Sequence, residues 1–203
     1  MKIGANTKLA SALIAISLVS IALTWLGAGV LVSIAQAQTV DQNGDDVRIN
    51  DATTSLNILK VAVTDYYAKF GSFPVGNNKF ELLLMKEGLV NKPFSLMSGN
   101  GNSSTESHVR ILKPVSSTLL VTATNAAYNF QGGPTNQTAG SFVVETVILN
   151  VASRDARELS LRIDGPKLSS PLGEADLKGR VKFGAIPANG FGEVHVYIIH
   201  RGF

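Results

Sequence analysis

Asp46–Pro74 reads DVRINDATTSLNILKVAVTDYYAKFGSFP, and its spacing decides the fold. Ile49, Ala52, Leu56, Leu59, Val63, Tyr66 and Phe70 recur at steps of three and four, which sets them on one stripe of an amphipathic helix over 46–70. Asp45, Asp46, Asn50 and Asp51 supply cap candidates and negative charge at its positive end, while Lys60 and Lys69 fall later. The helix is expected to stop at Gly71, because Phe73-Pro74 follows and a residue before proline leaves the α region. One apolar stripe requires a second layer to bury it.

Upstream, Leu9–Val40 contains no charged residue and is rich in Leu, Ile, Ala and Val. It exceeds the roughly 20 residues a helix needs to cross a bilayer. Trp25, Gly27 and Gly29 interrupt it in ways membrane helices tolerate. The reading is a basic leader at 1–8, a transmembrane helix at 9–36, a polar hinge at 37–45 and an exported domain at 46–203. Lys2 and Lys8 before the segment, and Asp41, Asp45 and Asp46 after it, keep the N-terminus cytoplasmic. This reads as a bacterial inner-membrane protein with its body in the periplasm or outside the cell. A competing reading is a signal peptide cleaved in Ala35-Gln36-Ala37, leaving Gln38 first. The apolar run is long for a signal segment, whose core is usually about 7–15 residues.

The 203 residues include no cysteine, so disulfide frameworks, thiol catalysis and Cys-based zinc sites are excluded. The pI near 9.2 suggests an acidic partner, yet two of the 18 Lys and Arg precede the apolar run. The remaining 16 face 15 Asp and Glu. A nearly neutral body does not supply a nucleic-acid surface.

Downstream, Phe80–Val90 reads as a short helix within 79–90, with Asn78 as cap and Gly88 as stop. Ser98–Ser107 is a polar loop. From 109 to 203 the pattern is mainly β, with strands expected at Val109–Leu112, Thr118–Thr124, Phe142–Val151, Gly179–Gly184 and Glu193–His200. Arg154–Ile163 fits helix and strand about equally, and Asp155 as a cap favours a short helix. The fold class is α+β: a transmembrane helix continuing into an amphipathic helix packed on a small antiparallel sheet.

No catalytic constellation stands out, and no enzyme activity is expected. His195 and His200 lie five apart on a strand, a spacing that sends them to opposite faces and argues against a metal pair. Asn102-Ser103-Ser104 and Asn136-Gln137-Thr138 match the glycosylation sequon and read as chance. Asp164, Glu174 and Asp176 border the loop DGPKLSSPLGEAD, and oxygen-only acidic ligation is what calcium takes.

The layout resembles type IV pilin-like proteins, particularly major pseudopilins of type II secretion systems. Tyr66, Tyr67, Gly71, Phe73 and Pro74 are similar to the family's ending of the long helix, and Leu82–Pro93, with Gly88 and Pro93, to the segment that follows. The resemblance covers about 46–94 and 153–200, leaving 98–150 as an expansion. It implies a structural filament subunit or accessory that contacts the membrane and packs with copies of itself or other pilin-like chains. It also implies a calcium loop near Asp164–Asp176. The family's prepilin signature is absent: Gly4 is followed by Ala5-Asn6-Thr7-Lys8, and the apolar segment lacks the family's glutamate. The alternative function is an exported pilin-fold binding module, cleaved after Ala37, that recognises a surface or extracellular partner.

Overall fold

The computed structural model describes residues 47–92, 105–133 and 135–202, all within one unit, Asp45–Phe203. The apolar run, the candidate cleavage residues Ala35, Ala37 and Gln38, the cap candidates Asp45 and Asp46, the sequon at Asn102 and the motif proline Pro93 lie outside the described residues. Among the described residues no helix is long and apolar enough to cross a membrane.

Helix α1 runs over 47–70. Ile49, Ala52, Leu56, Leu59, Val63 and Tyr66 are buried as the spacing predicts. Phe70 is a correction, since it is 44% exposed. It falls in the last turn and meets the Tyr66 ring at a tilt, with centroids 4.5 Å apart, instead of entering the core. Asn50 and Asp51 lie inside the helix rather than at its cap. Gly71 ends the helix with φ +73°, and its N–H donates to the Tyr67 carbonyl at 2.8 Å. That left-handed conformation favours glycine.

Helix α2 is Phe80–Lys86, shorter than the 79–90 expected. Its N-cap is Lys79 with no side-chain cap. Asn77, not Asn78, holds the entry by accepting the Lys79 N–H at 2.8 Å. Four strands follow: β1 Ser107–Leu112, β2 Ser141–Ala152, β3 Val181–Phe183 and β4 Phe191–Gly202. They form one antiparallel sheet in the order β1-β2-β4-β3. Helix α3, Ser153–Asp164, follows β2 directly. Asp155 sits in its first turn behind an Ala152 N-cap rather than capping it, and it takes two hydrogen bonds of 3.1 Å from Arg48 of α1.

Thr118–Thr124 forms no strand. Strand-forming residues prefer a pleated, half-buried surface, and here Leu119 and Leu120 are exposed. Asn125 instead ties this backbone down, accepting the Thr122 and Ala127 N–H groups and donating to the Leu120 carbonyl.

The sheet is covered on both faces. Val109 and Ile111, Val144 and Ile148, Val181 and Phe183, and Val194 and Val196 share the main core with the stripes of all three helices. On the opposite face Val143 packs with Ala126 and Tyr128, flanked by Leu112, Val115, Phe130 and Tyr197. The second cover comes from the segment between β1 and β2, part of the expansion that the family resemblance leaves unmatched.

Two irregularities break the β2–β4 register. Val144 pairs with Ile199 and Glu145 with Tyr197, so Ile198 is an extra residue on β4. A bulge of this kind reverses which face later residues occupy. His195 therefore lies on the same face as His200, contrary to the odd-spacing expectation. His200 accompanies the second cover, with its Nδ1 2.6 Å from the Tyr197 hydroxyl and its ring stacked on Phe130 at 6.3 Å.

Candidate functional site

Two features stand out: the exposed flank of α1 and a buried charge cluster under the second cover. Opposite its buried stripe, α1 exposes Val47, Ile58 and Val61, each more than half accessible. Asp51, Thr54 and Asp65 share that exposed side. β-branched apolar groups on the water side of a helix gain nothing in an isolated domain, whereas packed helix faces are built from them.

The motif at the helix end is a small aromatic knot. The Tyr66 ring meets Phe80 edge-on at 4.9 Å, Phe73 meets Phe80 at 6.1 Å, and Tyr67 lies 5.0 Å from Phe73. Pro74 opens a turn closed by the Asn77 N–H, and the Asn77 carbonyl then accepts the Ile111 N–H of β1. Gly88 closes α2 with φ +71°. The buried Glu81 carboxylate accepts the Val109 N–H at 2.7 Å. The turn after α1 is thus hydrogen-bonded to the outer strand of the sheet.

The charge cluster takes one residue from each strand: Arg110 from β1, Glu145 from β2, Lys182 from β3 and His195 from β4. Glu145, Lys182 and His195 are fully buried. Glu145 Oε1 accepts from Arg110 Nε at 2.7 Å and faces His195 Nδ1 at 2.9 Å. Its Oε2 accepts the Tyr128 hydroxyl at 2.5 Å. Arg110 Nη2, 3.0 Å from Nδ1 and 2.6 Å from the same carboxylate oxygen, crowds this contact, so the tautomer of His195 decides whether Nδ1 donates to Glu145 or accepts from Arg110. On the far side of the ring, Nε2 lies 2.7 Å from Glu193 Oε1 but has no aligned hydrogen bond, so this contact is electrostatic.

The cations also reach the cover. Lys182 Nζ donates to the carbonyls of Thr122, Asn125 and Ala127 at 2.7–3.1 Å and stands 3.8 Å over the Tyr128 ring. Arg110 donates to the Thr124 carbonyl. The cover returns one bond, from Tyr128 to Glu145. Burial alone raises the Glu145 pKa, but the hydrogen bond and charge of His195, with Arg110 and Lys182, outweigh it and hold the carboxyl below its usual range. Burial, and then the neighbouring Glu145 charge, push the Tyr128 hydroxyl well above 10.0.

No protein-family model matches this chain, and no curated protein or solved structure matches it.

The acidic loop residues do not gather around a shared point. Asp164 accepts the backbone N–H groups of Arg180 and Val181 at 2.8–2.9 Å and the Arg180 guanidinium at 3.2 Å. Gly179 makes this possible, since a Cβ there would fall 2.4 Å from the Asp164 carboxyl carbon. Asp176 accepts from Ser160 Oγ at 2.7 Å and from the Ser170 and Lys178 N–H groups. Glu174 is exposed. Among the described residues no group of three or more acidic or histidine side chains is placed to hold a metal ion. Asn136 is buried, with its Nδ2 donating to the Ser116 carbonyl, so this sequon serves the cover.

Sequence reasoning missed Arg110, Tyr128, Glu145 and Lys182, and weighed His195 only as half of a metal pair. For Arg110, Glu145, Lys182 and His195 the signal was one charged or histidine residue set within each apolar run: VRIL, FVVETVIL, VKF and VHVYII.

Burial pushes the Lys182 ammonium down from 10.5 to about 8, against the attraction of Glu145 and with the repulsion of Arg110. Between those values the unfolded chain holds a proton that the folded protein has released, so stability rises with pH across the window, by on the order of 2–3 kcal/mol. Above 10.0 the unfolded chain loses the tyrosine proton that folded Tyr128 keeps, and stability falls again. Urea midpoints measured between about pH 7 and 11 should pass through a maximum. In Lys182→Met the rising limb should be absent, and a flat wild-type profile would contradict the assignment. On the acid side, the Glu145 contribution is present above 4.5 and is lost as pH falls through its lowered value.

Proposed function

We propose that this chain is an exported, pilin-like structural subunit or accessory of a secretion or pilus filament, resident in the bacterial inner membrane. It is held there by the apolar segment at 9–36 and assembles by helix–helix packing. The observation that carries this reading is the two-sided α1: one stripe closes the core, and Val47, Ile58 and Val61 remain exposed on the other. In sequence, α1 follows the apolar segment through a short hinge, as in a helix that joins a membrane core to a folded head. The aromatic knot and the sheet behind it hold the head on that helix. Its partners are other copies of this chain or related pilin-like chains.

The absence of cysteine makes the test direct. Ile58→Cys or Val61→Cys in the full chain should form disulfide-linked dimers on oxidation in membranes, whereas Lys113→Cys, exposed just after β1, should not. Ile58→Lys should abolish co-assembly while changing unfolding free energy by no more than about 0.5 kcal/mol. Monomers in every cysteine variant would sink the proposal. Mass spectrometry of the native N-terminus separates this reading from a cleaved binding module, which would begin at Gln38.

A further inference from the structure

The loop between β3 and β4, with its flanking Gly192, carries no charged residue from Gly184 to Gly192. The charges on either side are both engaged by the rest of the head. Lys182 is bound under the cover, and Glu193 lies 2.7 Å from His195 Nε2. The loop tip is a closed turn, in which the Gly190 N–H donates to the Pro187 carbonyl at 2.7 Å. Ile186 is buried beneath it, and a Cβ on Gly192 would fall 2.6 Å from the Ile186 side chain. Pro187, Ala188 and Asn189 are left exposed, and Phe191 beside them is 62% accessible. The loop therefore has a fixed shape and presents an aromatic ring to the outside.

This loop hangs at the end of the head where α1 begins. The Ser153 N–H donates to the Gly190 carbonyl and the Ser153 hydroxyl to the Ile186 carbonyl, both at 3.1 Å. Two residues on, Asp155 takes the guanidinium of Arg48 from the first turn of α1. The uncharged run ends at Val40, seven residues before Val47, so at most about 25 Å of extended chain lies between them. We propose that the Gly184–Gly192 loop rests on the membrane that holds the chain, with Pro187 and Phe191 in the boundary between headgroups and acyl chains. The inference rests on the membrane anchorage proposed above and adds where the head meets the lipid. Tethering raises the effective concentration of the surface, so one aromatic ring and a few apolar atoms suffice for a contact that a free domain would not hold. A protein partner matches less well, since the loop offers no charged group to fix its register.

The test uses the full chain reconstituted in phosphatidylcholine vesicles at a low protein-to-lipid ratio, with single cysteines carrying a polarity-sensitive fluorophore. Lipids spin-labelled at the headgroup or high on the acyl chain serve as quenchers. Ala188→Cys should give blue-shifted emission that these lipids quench, whereas Lys113→Cys should give neither. Lys113 follows Leu112, which pairs with Val143 near the start of β2, while the loop joins β2 at its other end through Ala152 and Phe191. Adding Phe191→Asp to Ala188→Cys should shift the tip about tenfold toward water, and Phe191→Leu should keep it in lipid. Emission at 188 as polar and unquenched as at 113 would overturn the proposal. So would quenching that Phe191→Asp leaves unchanged, or a blue shift without lipid quenching, which marks contact with a protein. Flotation separates the two failures. A chain that does not float with the vesicles refutes the anchorage and the loop contact together, whereas one that floats with an unquenched tip refutes the loop contact alone.

Discussion

Glu145→Ala should lower the unfolding free energy of the full chain by about 3–5 kcal/mol, the usual consequence of leaving buried opposite charges without their partner. The carboxylate is the common acceptor of Arg110, His195 and Tyr128, and it attracts the charge of Lys182, which stands 3.8 Å over the Tyr128 ring. Without it, Arg110, Lys182 and His195 lose their shared counter-charge, and Tyr128 loses its acceptor. Total stabilities are only about 5–15 kcal/mol, so partial unfolding at growth temperature is expected. Lys182→Met should cost less, because it removes a charge while leaving carbonyls to be resatisfied by loop movement. The double variant should cost less than the sum, since the two side chains share one cluster. Urea titration checks all three. A Glu145→Ala cost below about 1 kcal/mol would place the cluster with exposed ion pairs, contrary to its geometry.

Phe80→Ala should be comparably damaging, at about 3–5 kcal/mol. Phe80 is fully buried and is the shared partner of the Tyr66 and Phe73 rings, each meeting it edge-on. Its removal opens a cavity between α1, the turn at Phe73-Pro74 and α2. That turn cannot collapse into the space freely, because Asn77 is bonded to Lys79 and to Ile111 of β1. Phe80→Leu should recover most of the loss, and Leu82→Ala, on the exposed side of α2, should stay within about 0.5 kcal/mol. The measurement is again the urea midpoint, with the near-ultraviolet signal of the tyrosines reporting the knot. Equal effects of Phe80→Ala and Leu82→Ala would show that the knot does not organise the turn.

The parts that were legible are those set by short-range pattern. The stripe from Ile49 to Tyr66, the stop at Gly71 and both long strands follow from periods and breakers that lie close together in the chain. Errors began where a distant residue intervenes. Thr118–Thr124 has strand composition, but Asn125, just beyond it, takes its backbone instead. Asp155 has the composition of a cap, yet Arg48, far away in sequence, draws it into an ion pair. His195 and His200 were placed on opposite faces by counting, and one extra residue on β4 reversed the count. The candidate calcium residues are near in sequence, but Asp164 and Asp176 point to different N–H groups.

The sequence by itself determined that a long amphipathic helix precedes an antiparallel sheet, that an uncharged segment lies before it, and that the body is nearly neutral. These follow from local spacing and from sums, which need no third dimension. Only the tertiary structure decided that the second sheet face is covered, that four strands bring Arg110, Glu145, Lys182 and His195 together, and that the loop before β4 hangs at the end where α1 begins. Such groupings depend on strand register and on which loop lies over which face. A single bulge or side-chain clamp changes them, and neither leaves a periodic trace in the chain.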